Sequence, residues 1–561
     1  MGIKYAEYSK RLSRLINAMT YMPLVGRLIL GFSFLPPSTA LIYSVPPLFH
    51  ISIMYSIPSI LNQQPPANLA DLRMFNVANG TQSSFNREHA EKLDHEDPLR
   101  HLRQEFIIPT KAGLKRKRLS KSTNNEAAEP CIYFCGNSLG LQPRRAVERV
   151  TEHLSAWAER GVTGHFTEHG PNLPPFLHVD DVAAEKMAPV VGATRSEVAV
   201  METLTANLHL MMASFYQPTK EKHKIILEAK AFPSDHYAVD SQIRQHGFDP
   251  GSAMVLIEPE GGETATISTS HIKSVIDKHA ASTALILLPG VQYYTGQYLD
   301  IPTITAHAHS RGILIGWDLA HAVGNVEVKL HDWDVDFAVW CNYKYLNSGP
   351  GSIAGLFVHE KHGHVDVEAL KHNETGFRPR LSGWWGGDRS IRFGMGDKFV
   401  PIPGAAGYQL GNPSVLALST VLASLEVFAL TSMSAIQHKS RALTGYLADL
   451  LTQALETSGL YHIITPSDPN ERGAQLSVRL KPGLLNGVMK ALEEQGVVVD
   501  ERQPDVVRVA PAPLYNTFTE VWVFVKIFRR ACDCAQQGIV EDADSAVGLK
   551  GQHDKGWNTF K

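Results

Sequence analysis

Two short stretches decide the fold of this chain: Ile313-Leu314-Ile315-Gly316-Trp317-Asp318 and Phe337-Ala338-Val339-Trp340-Cys341-Asn342-Tyr343-Lys344. Each begins as an apolar run of the length of a buried β-strand, and each is followed by a charged side chain, Asp318 or Lys344. Short apolar runs that alternate with helical patterns are typical of an α/β sandwich around a mostly parallel sheet. Ligands of such sheets bind at the carboxyl ends of the strands, and both charged residues fall there.

The same pattern continues on both sides of these stretches. It predicts further strands at 224–227, 284–288 and 352–358 and helices at 271–279 and 303–311. A long helix is predicted through 416–430, with Asn412 as its N-cap and Pro413 at its first position. Strand candidates at 475–480 and 506–509 indicate a second, smaller α+β region beyond about Met433.

Composition then divides the 561 residues into domains. We predict an N-terminal arm or small-domain segment (85–150), a large domain (151–430), a small C-terminal domain (431–545) and a tail (546–561). The first 84 residues differ in composition from the rest of the chain. No Asp, Glu, Lys or Arg lies between Arg27 and Asp71, and up to Arg27 the basic residues outnumber the acidic ones. We interpret them first as a disordered or gene-model extension, second as mitochondrial targeting, and third as a membrane anchor. Their prolines oppose one long spanning helix.

Charge and cysteine content exclude several functional classes. A formal charge of −3 with 19% charged residues does not indicate a nucleic-acid partner. The five cysteines have neither the number nor the spacing of a disulfide framework or a zinc site, so we predict no metal site. A reducing compartment fits this content, and the expected location is the cytoplasm, with mitochondrial or membrane association left open only through the leader.

The pair Asp318 and Lys344 suits pyridoxal 5′-phosphate. The aspartate would keep the pyridine nitrogen protonated, and the lysine would carry the aldehyde as a Schiff base. Taken alone, each has a plain alternative, a helix-capping aspartate and a strand-end lysine. Thr205 before the apolar pattern 208–215 predicts a helix N-cap suited to a phosphate. The segment 232–235 after strand 224–227 can place a ring or a carboxylate over the cofactor.

These and further segments resemble the kynureninase family. They follow the order of that family and cover about residues 85 to 537. The segments are GNSLGLQP (136–143), LTANLH (204–209), FPSD (232–235), DLAH (318–321), NYKYLN (342–347), GWWG (383–386), GNP (411–413) and RVAPAPLYN (508–516).

The resemblance implies a fold-type I, aspartate aminotransferase-like enzyme that uses pyridoxal phosphate and works as a homodimer with shared active sites. It implies that Lys344 forms the internal Schiff base, that Asp318 pairs with the ring nitrogen, and that Tyr343 completes the catalytic set. The implied cofactor contacts are Leu204, Thr205, Phe232, Pro233, Ser234, Asp235, Asp318, His321, Tyr343 and Lys344, with Trp384 and Asn412 from the second subunit.

The resemblance also implies a substrate site. Arg508 would clamp the α-carboxylate in a bidentate pair, which fixes the Cα–H over the lysine. Ser138, His165 and Asn412 would face the aryl group, with His169 as a competitor for the place of His165. One tyrosine of the pair 293–294 would lie near the phosphate and assist proton transfer.

The implied reaction is hydrolysis of the Cβ–Cγ bond of L-kynurenine or L-3-hydroxykynurenine to L-alanine and anthranilate or 3-hydroxyanthranilate. This places the enzyme in tryptophan catabolism and NAD biosynthesis, and resemblance to eukaryotic members favours the hydroxylated substrate. The alternative within the fold is a cysteine desulfurase or selenocysteine lyase, which needs a nucleophilic cysteine on a mobile loop. Cys341 lies on the strand that precedes Lys344 and is expected to be buried, and Cys532 and Cys534 lie in a helical pattern, so none is well placed.

Overall fold

A computed structural model of the protein describes residues 85–116, 129–170, 173–261, 266–372 and 375–538. The leader (1–84) and the tail (546–561) lie outside the described residues. In chain order the strands are β1 (Ile132–Tyr133), β2 (Val198–Val200), β3 (Lys224–Glu228), β4 (Met254–Ile257), β5 (Thr283–Pro289), β6 (Leu314–Asp318), β7 (Phe337–Trp340), β8 (Gly355–Val358), β9 (Tyr461–Ile463), β10 (Leu476–Leu480), β11 (Val497–Val498), β12 (Asp500–Arg502) and β13 (Val506–Val509).

Fifteen α-helices connect and cover these strands in the described part of the chain. They are α1 (Arg87–Glu96), α2 (Lys111–Leu114), α3 (Arg145–Arg160), α4 (Val179–Met187), α5 (Leu204–Phe215), α6 (Pro233–Gln245), α7 (Pro250–Ala253), α8 (Thr269–His279), α9 (Ile301–Ser310), α10 (Glu360–Gly363), α11 (Val367–Lys371), α12 (Val415–Phe428), α13 (Met433–Ser458), α14 (Leu485–Glu494) and α15 (Phe518–Gln536). None of them alone is long and apolar enough to cross a membrane. Only when the helices Val415–Phe428 and Met433–Ala454 are taken together, with a bend of 78° between them, are the length and apolar composition sufficient.

The large sheet has seven strands in the order β2-β8-β7-β6-β5-β3-β4. Strands β3 to β7 pair in parallel, and β8 runs antiparallel to both of its neighbours. This confirms the predicted α/β fold with a mostly parallel sheet. Pro289 of β5 is in register with Asp318 of β6, which in turn is in register with Val339 of β7. Asp318 and the loop after β7 therefore meet at the same edge of the sheet.

The strands are continuous apolar runs because both faces of the sheet are covered. On β3, Ile226 belongs to one apolar core, while Ile225 and Leu227 belong to the core on the opposite face. This split follows from the two-residue period of a strand, since neighbouring side chains point to opposite faces. A parallel sheet with helices on both faces buries every position, so the sequence shows no polar alternation.

The small C-terminal region is built on an antiparallel sheet of order β12-β13-β10-β9. Helices α13, α14 and α15 contribute to its own apolar core, which also takes up Ala90 of α1 and Ile132 of β1. Strand β1 pairs in parallel with β11, with Ile132 opposite Val497. The segment that begins at residue 85 is therefore part of this smaller unit in space.

Two predicted helix starts are wrong. Helix α12 begins at Val415, and its N-cap is Ser414, whose hydroxyl accepts a hydrogen bond from the Ala417 amide at 3.3 Å. Asn412 and Pro413 precede this cap. Helix α5 begins at Leu204, so Thr205 is not its N-cap. The hydroxyl of Thr205 instead forms a hydrogen bond with that of Ser234 at 2.8 Å, which ties two helix starts together.

A buried carboxylate links helix α9 to the amino end of the sheet. Asp336, only 1% exposed, accepts hydrogen bonds from the Ile315 amide (2.8 Å), His309 Nε2 (2.9 Å) and His362 Nε2 (2.8 Å). Burial alone would raise the pKa of Asp336, but these bonds and nearby Lys361 hold it far below its usual range. The bond to Asp336 in turn raises the pKa of His309.

Replacing Asp336 with asparagine is expected to lower the free energy of unfolding by about 3 kcal/mol, since it breaks a buried charged network. The raised pKa of His309 sets the pH dependence. The stabilisation that protonated His309 contributes is complete below the ordinary histidine pKa of about 6.5. It is lost as the pH rises through the higher pKa of His309 in the folded protein. The difference in the free energy of unfolding between wild type and Asp336→Asn should therefore become smaller from pH 6 to pH 8. Urea unfolding followed by circular dichroism measures it.

The exposed neighbour Asp332 offers the matched control, because Asp332→Asn removes the same charge from the surface. That variant should unfold like the wild type at both pH values. If the free energy of unfolding lost in Asp336→Asn stayed constant or grew as the pH rises, this would contradict the assigned ion pairs.

Candidate active site

A cavity of about 360 Å³ lies at the carboxyl edge of the large sheet. It gathers most of the residues that the sequence singled out. Its lining is Asn137, Ser138, Leu204, Thr205, Glu228, Phe232, Ser234, Asp235, Pro289, Val291, Tyr293, Asp318, Ala320, His321, Tyr343, Lys344, Arg502 and Arg508. The residues predicted from the sequence that do not line it in this chain are Pro233, His165, Trp384 and Asn412.

Lys344 lies four residues beyond the end of β7 and reaches into this cavity. Its Nζ is 2.8 Å from His321 Nε2 and 6.0 Å from the ring centres of Phe232 and Tyr343. Burial and the neighbouring Lys344 lower the pKa of His321 well below its usual range. The imidazole is therefore neutral, and its Nε2 accepts the hydrogen bond from the lysine.

Two carboxyl groups lie buried beside the lysine. Asp318 ends β6, and its Oδ1 accepts a hydrogen bond from the Ala320 amide at 2.7 Å. Asp235 lies in the first turn of α6. Burial raises the pKa of both carboxyls, and the neighbouring Asp318 raises that of Asp235 further. Lys344 opposes the shift at both carboxyls, but no described residue forms a direct ion pair with either of them. A protonated ring nitrogen against Asp318 would supply that partner.

Two helix starts form the opposite part of the cavity. Helix α5 begins at Leu204, and α6 begins at Pro233 directly after Phe232. The hydroxyls of Thr205 and Ser234 join them. Free amides and the positive ends of both helices favour a phosphate at this point. Phe232 remains 39% exposed, which leaves its ring free to lie against a planar ligand. These groups fit pyridoxal phosphate.

A hairpin of the small sheet supplies the charged wall of the cavity. Arg508 of β13 is in register with Asp500 of β12, and Asp500 binds its Nε and Nη2. Its Nη1 donates to the Tyr293 carbonyl at 2.7 Å. These three bonds leave one N–H on each Nη. Arg508 is 1% exposed, so its guanidinium is held in one orientation at the cavity wall.

Sequence reasoning missed Arg502 and Glu228. Arg502 lies two residues from Asp500 on β12, so both side chains share a face, and its Nη1 donates to Asp500 Oδ1 at 2.6 Å. Glu228 ends β3 as Asp318 ends β6, and that shared position was an available signal. Burial raises the pKa of Glu228 to about 8, and Gln292 Nε2 donates to its carboxyl at 3.2 Å.

The residues expected to face the aryl group divide into two sets. Ser138 lines the cavity, whereas His165 and His169 pack against Phe176 at ring distances of 5.7 and 4.6 Å. Neither histidine reaches the cavity in this chain, so the choice between them stays open. Of the two candidate tyrosines, Tyr293 lines the cavity, and its ring lies edge-on to Phe232 at 5.3 Å.

Cysteine chemistry has no place at this site. All five cysteines are among the described residues, and none lines the cavity. Cys341 is buried between β7 and Lys344, and burial raises the pKa of its thiol. Burial likewise raises the pKa of Cys135 to about 12. A desulfurase needs a thiolate beside the substrate, and neither thiol is ionised at neutral pH.

Comparison with known proteins gives both domains a family. Residues 139–376 match the model of the aminotransferase class-V family, and residues 436–528 match that of the kynureninase C-terminal domain. The chain is 63% identical over 459 residues to kynureninase 1 of Aspergillus oryzae, which covers 81% of this chain and 94% of that protein. It is 62% identical over 460 residues to the kynureninase of Coccidioides immitis, with 81% and 95% covered.

Solved structures with the same fold are more distant. The cystine C–S lyase C-DES in complex with cysteine persulfide matches with a TM-score of 0.57 and 17% identity, over 72% of this chain and 97% of that one. The cysteine desulfurase CsdA of Escherichia coli gives a TM-score of 0.57 and 17% identity, over 73% and 96%. At such identity these matches establish the fold only, and the fold alone does not decide the reaction.

Proposed function

This chain belongs to the kynureninase family, and on that premise we propose that it hydrolyses the Cβ–Cγ bond of kynurenine with pyridoxal phosphate as its cofactor. The observation that carries the proposal is one cavity that holds Lys344, Asp318 and Arg508 together. A lysine for the cofactor aldehyde, a carboxylate for its ring nitrogen and a guanidinium for the substrate carboxylate are the minimum for an amino acid substrate. The products are L-alanine and anthranilate or 3-hydroxyanthranilate.

Each wall of the cavity has a binding role. Bound pyridoxal phosphate supplies an aldehyde for the substrate amine and a ring that withdraws electrons from Cα and Cβ. Asp318 holds the proton on the ring nitrogen. Thr205, Ser234 and the two helix starts bind the phosphate, and Phe232 packs against the ring. Arg508, fixed by Asp500, binds the α-carboxylate and so turns the Cα–H toward Lys344.

The proton transfers use groups that already contact one another. Lys344 Nζ takes the α-proton as the general base, and neutral His321 Nε2, at 2.8 Å, is placed to share the proton. Tyr293 and Tyr343 both line the cavity, and burial raises the pKa of both phenols. Both therefore remain O–H donors at neutral pH, which suits the oxyanion that forms when water adds to the γ-carbonyl.

Cofactor removal tests this function. Treatment with hydroxylamine followed by dialysis should abolish release of the aromatic acid from kynurenine, and pyridoxal phosphate should restore it. Pyridoxal is the matched control, since it lacks only the phosphate that the two helix starts bind. Full activity after the cofactor has been removed, as shown by loss of its visible absorbance, would contradict the proposal.

The working unit is a homodimer with shared active sites. Its support is a face of exposed aromatic side chains outside the cavity, where Phe393 lies 5.9 Å from Phe166 and 5.6 Å from Trp384. These rings are 54%, 65% and 47% exposed, which is unusual for neighbouring aromatics on a monomer. Trp384 and Asn412 lie on the surface of one chain, as expected for residues that complete the cavity of a second copy.

Mixing two inactive variants tests the shared site. If Asn412 serves the cavity that contains the partner's lysine, dimers of Lys344→Ala with Asn412→Ala contain one intact site. Random exchange should then recover about a quarter of wild-type activity by two-fold symmetry. Mixing Lys344→Ala with Asp318→Asn is the control. Both residues serve the site of their own chain, so one site of each hybrid dimer lacks the lysine and the other lacks the aspartate. This mixture should recover no activity. No recovery in the first mixture would contradict a shared site.

The biological setting is a further part of the proposal. The reaction belongs to tryptophan catabolism and the formation of NAD precursors, and L-3-hydroxykynurenine is the preferred substrate. We place the enzyme in the cytoplasm, in keeping with five unpaired cysteines in the described residues. The leader before residue 85 lies outside the described structure and carries no part of this proposal.

A further inference from the structure

A second cavity, of about 730 Å³, lies in the small C-terminal domain away from the site described above. One wall is a face of helix α13 with Arg441, Gly445 and Asp449. The opposite wall comes from the segment between β9 and β10, where Thr465 and Arg472 line it. None of these residues lines the catalytic cavity, and the proposed reaction uses none of them.

Two guanidinium groups in this cavity keep unused donors. Arg472 is 4% exposed, and its Nε and Nη1 donate only to neutral oxygens, Thr444 Oγ1 at 3.4 Å and the carbonyls of Pro466 and Ser467 at 2.9 and 2.6 Å. Within the described residues its Nη2 has no partner. The Nε of Arg441 is buried and also has none. A guanidinium donor withdrawn from water is stabilised by an anion, so the unused donors of Arg472 and the buried Nε of Arg441 favour a ligand of opposite charge.

The single carboxyl in the cavity does not meet this need. Burial raises the pKa of Asp449, although Arg472 opposes the shift. Its carboxyl forms no ion pair with either guanidinium among the described residues. Burial lowers the pKa of Arg472, and Asp449 and Asp468 oppose that shift. Of these two acids only Asp449 lines the cavity, so its lining carries two arginines and one carboxyl. Planar guanidinium groups bind carboxylate and phosphate oxygens in pairs, so the geometry favours an oxyanion over a neutral ligand.

We propose that this cavity binds a small oxyanion, a carboxylate or a phosphate, between Arg441 and Arg472. The site adjoins the turn that carries Tyr293, because Thr465 Oγ1 donates to the Thr295 carbonyl at 2.5 Å. Tyr298 on the same connection donates its amide to the Glu471 carbonyl at 2.8 Å, next to Arg472. A bound anion therefore lies behind a wall of the catalytic cavity.

Calorimetric titration of the cofactor-loaded enzyme tests the site. Inorganic phosphate and acetate are titrated in parallel at constant ionic strength, which distinguishes the two sources of the oxyanion. Arg441→Gln should weaken the bound anion at least about tenfold, since a charge-assisted hydrogen bond is lost. Asp449→Asn should tighten it, because it removes the negative charge that lines the cavity. Arg529→Gln, an exposed change in the same domain, is the control and should bind like the wild type.

Arg508 offers a second place for an anion, so each titration is repeated in Arg508→Ala. Binding that survives in that background, and that weakens at least about tenfold on adding Arg441→Gln, belongs to the second cavity. Arg441 is only partly buried, which keeps this test independent of folding defects in Arg472 variants. The proposal is overturned if neither anion gives saturable heat with wild type, or if Arg441→Gln and Asp449→Asn both leave the affinity unchanged.

Discussion

Replacing Lys344 with alanine should abolish kynurenine cleavage, with kcat reduced by at least about 10⁴-fold, the upper range for loss of a general base. The lysine both holds the cofactor and takes the α-proton, and no other lysine lines the cavity in the described structure. His321 loses its hydrogen-bonding partner but is neutral, so its burial is not made worse by the change. The fold should therefore persist, and steady-state kinetics on the purified variant is the measurement.

The controls separate chemistry from folding. Lys222→Ala removes an exposed lysine that precedes β3, at the end opposite to the catalytic edge, and should retain full activity. Lys344→Ala should keep the far-ultraviolet circular dichroism of the wild type but lose the visible absorbance of the lysine-linked cofactor. Full turnover by Lys344→Ala would refute the assignment of this residue and the mechanism that depends on it.

Replacing Arg508 with alanine should raise KM for kynurenine on the order of 100-fold and change kcat much less. A hydrogen-bonded pair between guanidinium and carboxylate contributes about 2–3 kcal/mol, and 1.4 kcal/mol corresponds to tenfold. Asp500 retains Arg502 as a partner, because Arg502 Nη1 donates to it at 2.6 Å. The loss should therefore fall on substrate binding and not on the stability of the hairpin.

A substrate analogue without the α-carboxylate gives the matched control. Kynuramine has the aryl ketone and the amine of kynurenine but no carboxylate, so its inhibition constant should be similar in wild type and Arg508→Ala. Arg508→Lys should recover only part of the loss, since an ammonium cannot make the planar bidentate pair. An unchanged KM in Arg508→Ala would mean that another residue binds the α-carboxylate. Arg502, which also lines the cavity, is the alternative.

The large sheet was predictable because its central strands are continuous apolar runs in the sequence. Runs such as 337–341 are apolar throughout and end in a polar residue, so both their position and their carboxyl ends could be assigned. Helix starts were less predictable. Thr205 and Asn412 have the chemistry of an N-cap, but α5 begins after Thr203 and α12 begins after Ser414. The choice between such neighbouring residues depends on backbone angles that the sequence does not contain.

The catalytic cavity was predictable where the chemistry itself demands a residue type, as with Asp318 and Lys344. Arg502 and Asp500 escaped because their role depends on the register of the β12–β13 hairpin, which places Asp500 opposite Arg508. The oxyanion cavity in the small domain escaped for a related reason. Arg441 and Arg472 lie 31 positions apart (472 − 441), and only the packing of a helix against a loop brings them together.

Product analysis tests the central claim most directly. The purified enzyme with pyridoxal phosphate is given L-3-hydroxykynurenine and L-kynurenine in parallel, and both alanine and the aromatic acid are quantified. We expect equimolar alanine and 3-hydroxyanthranilate, formed faster than alanine and anthranilate. Absence of any aromatic acid from either substrate, in an enzyme that shows the visible absorbance of bound cofactor, would contradict the assignment as a kynurenine hydrolase.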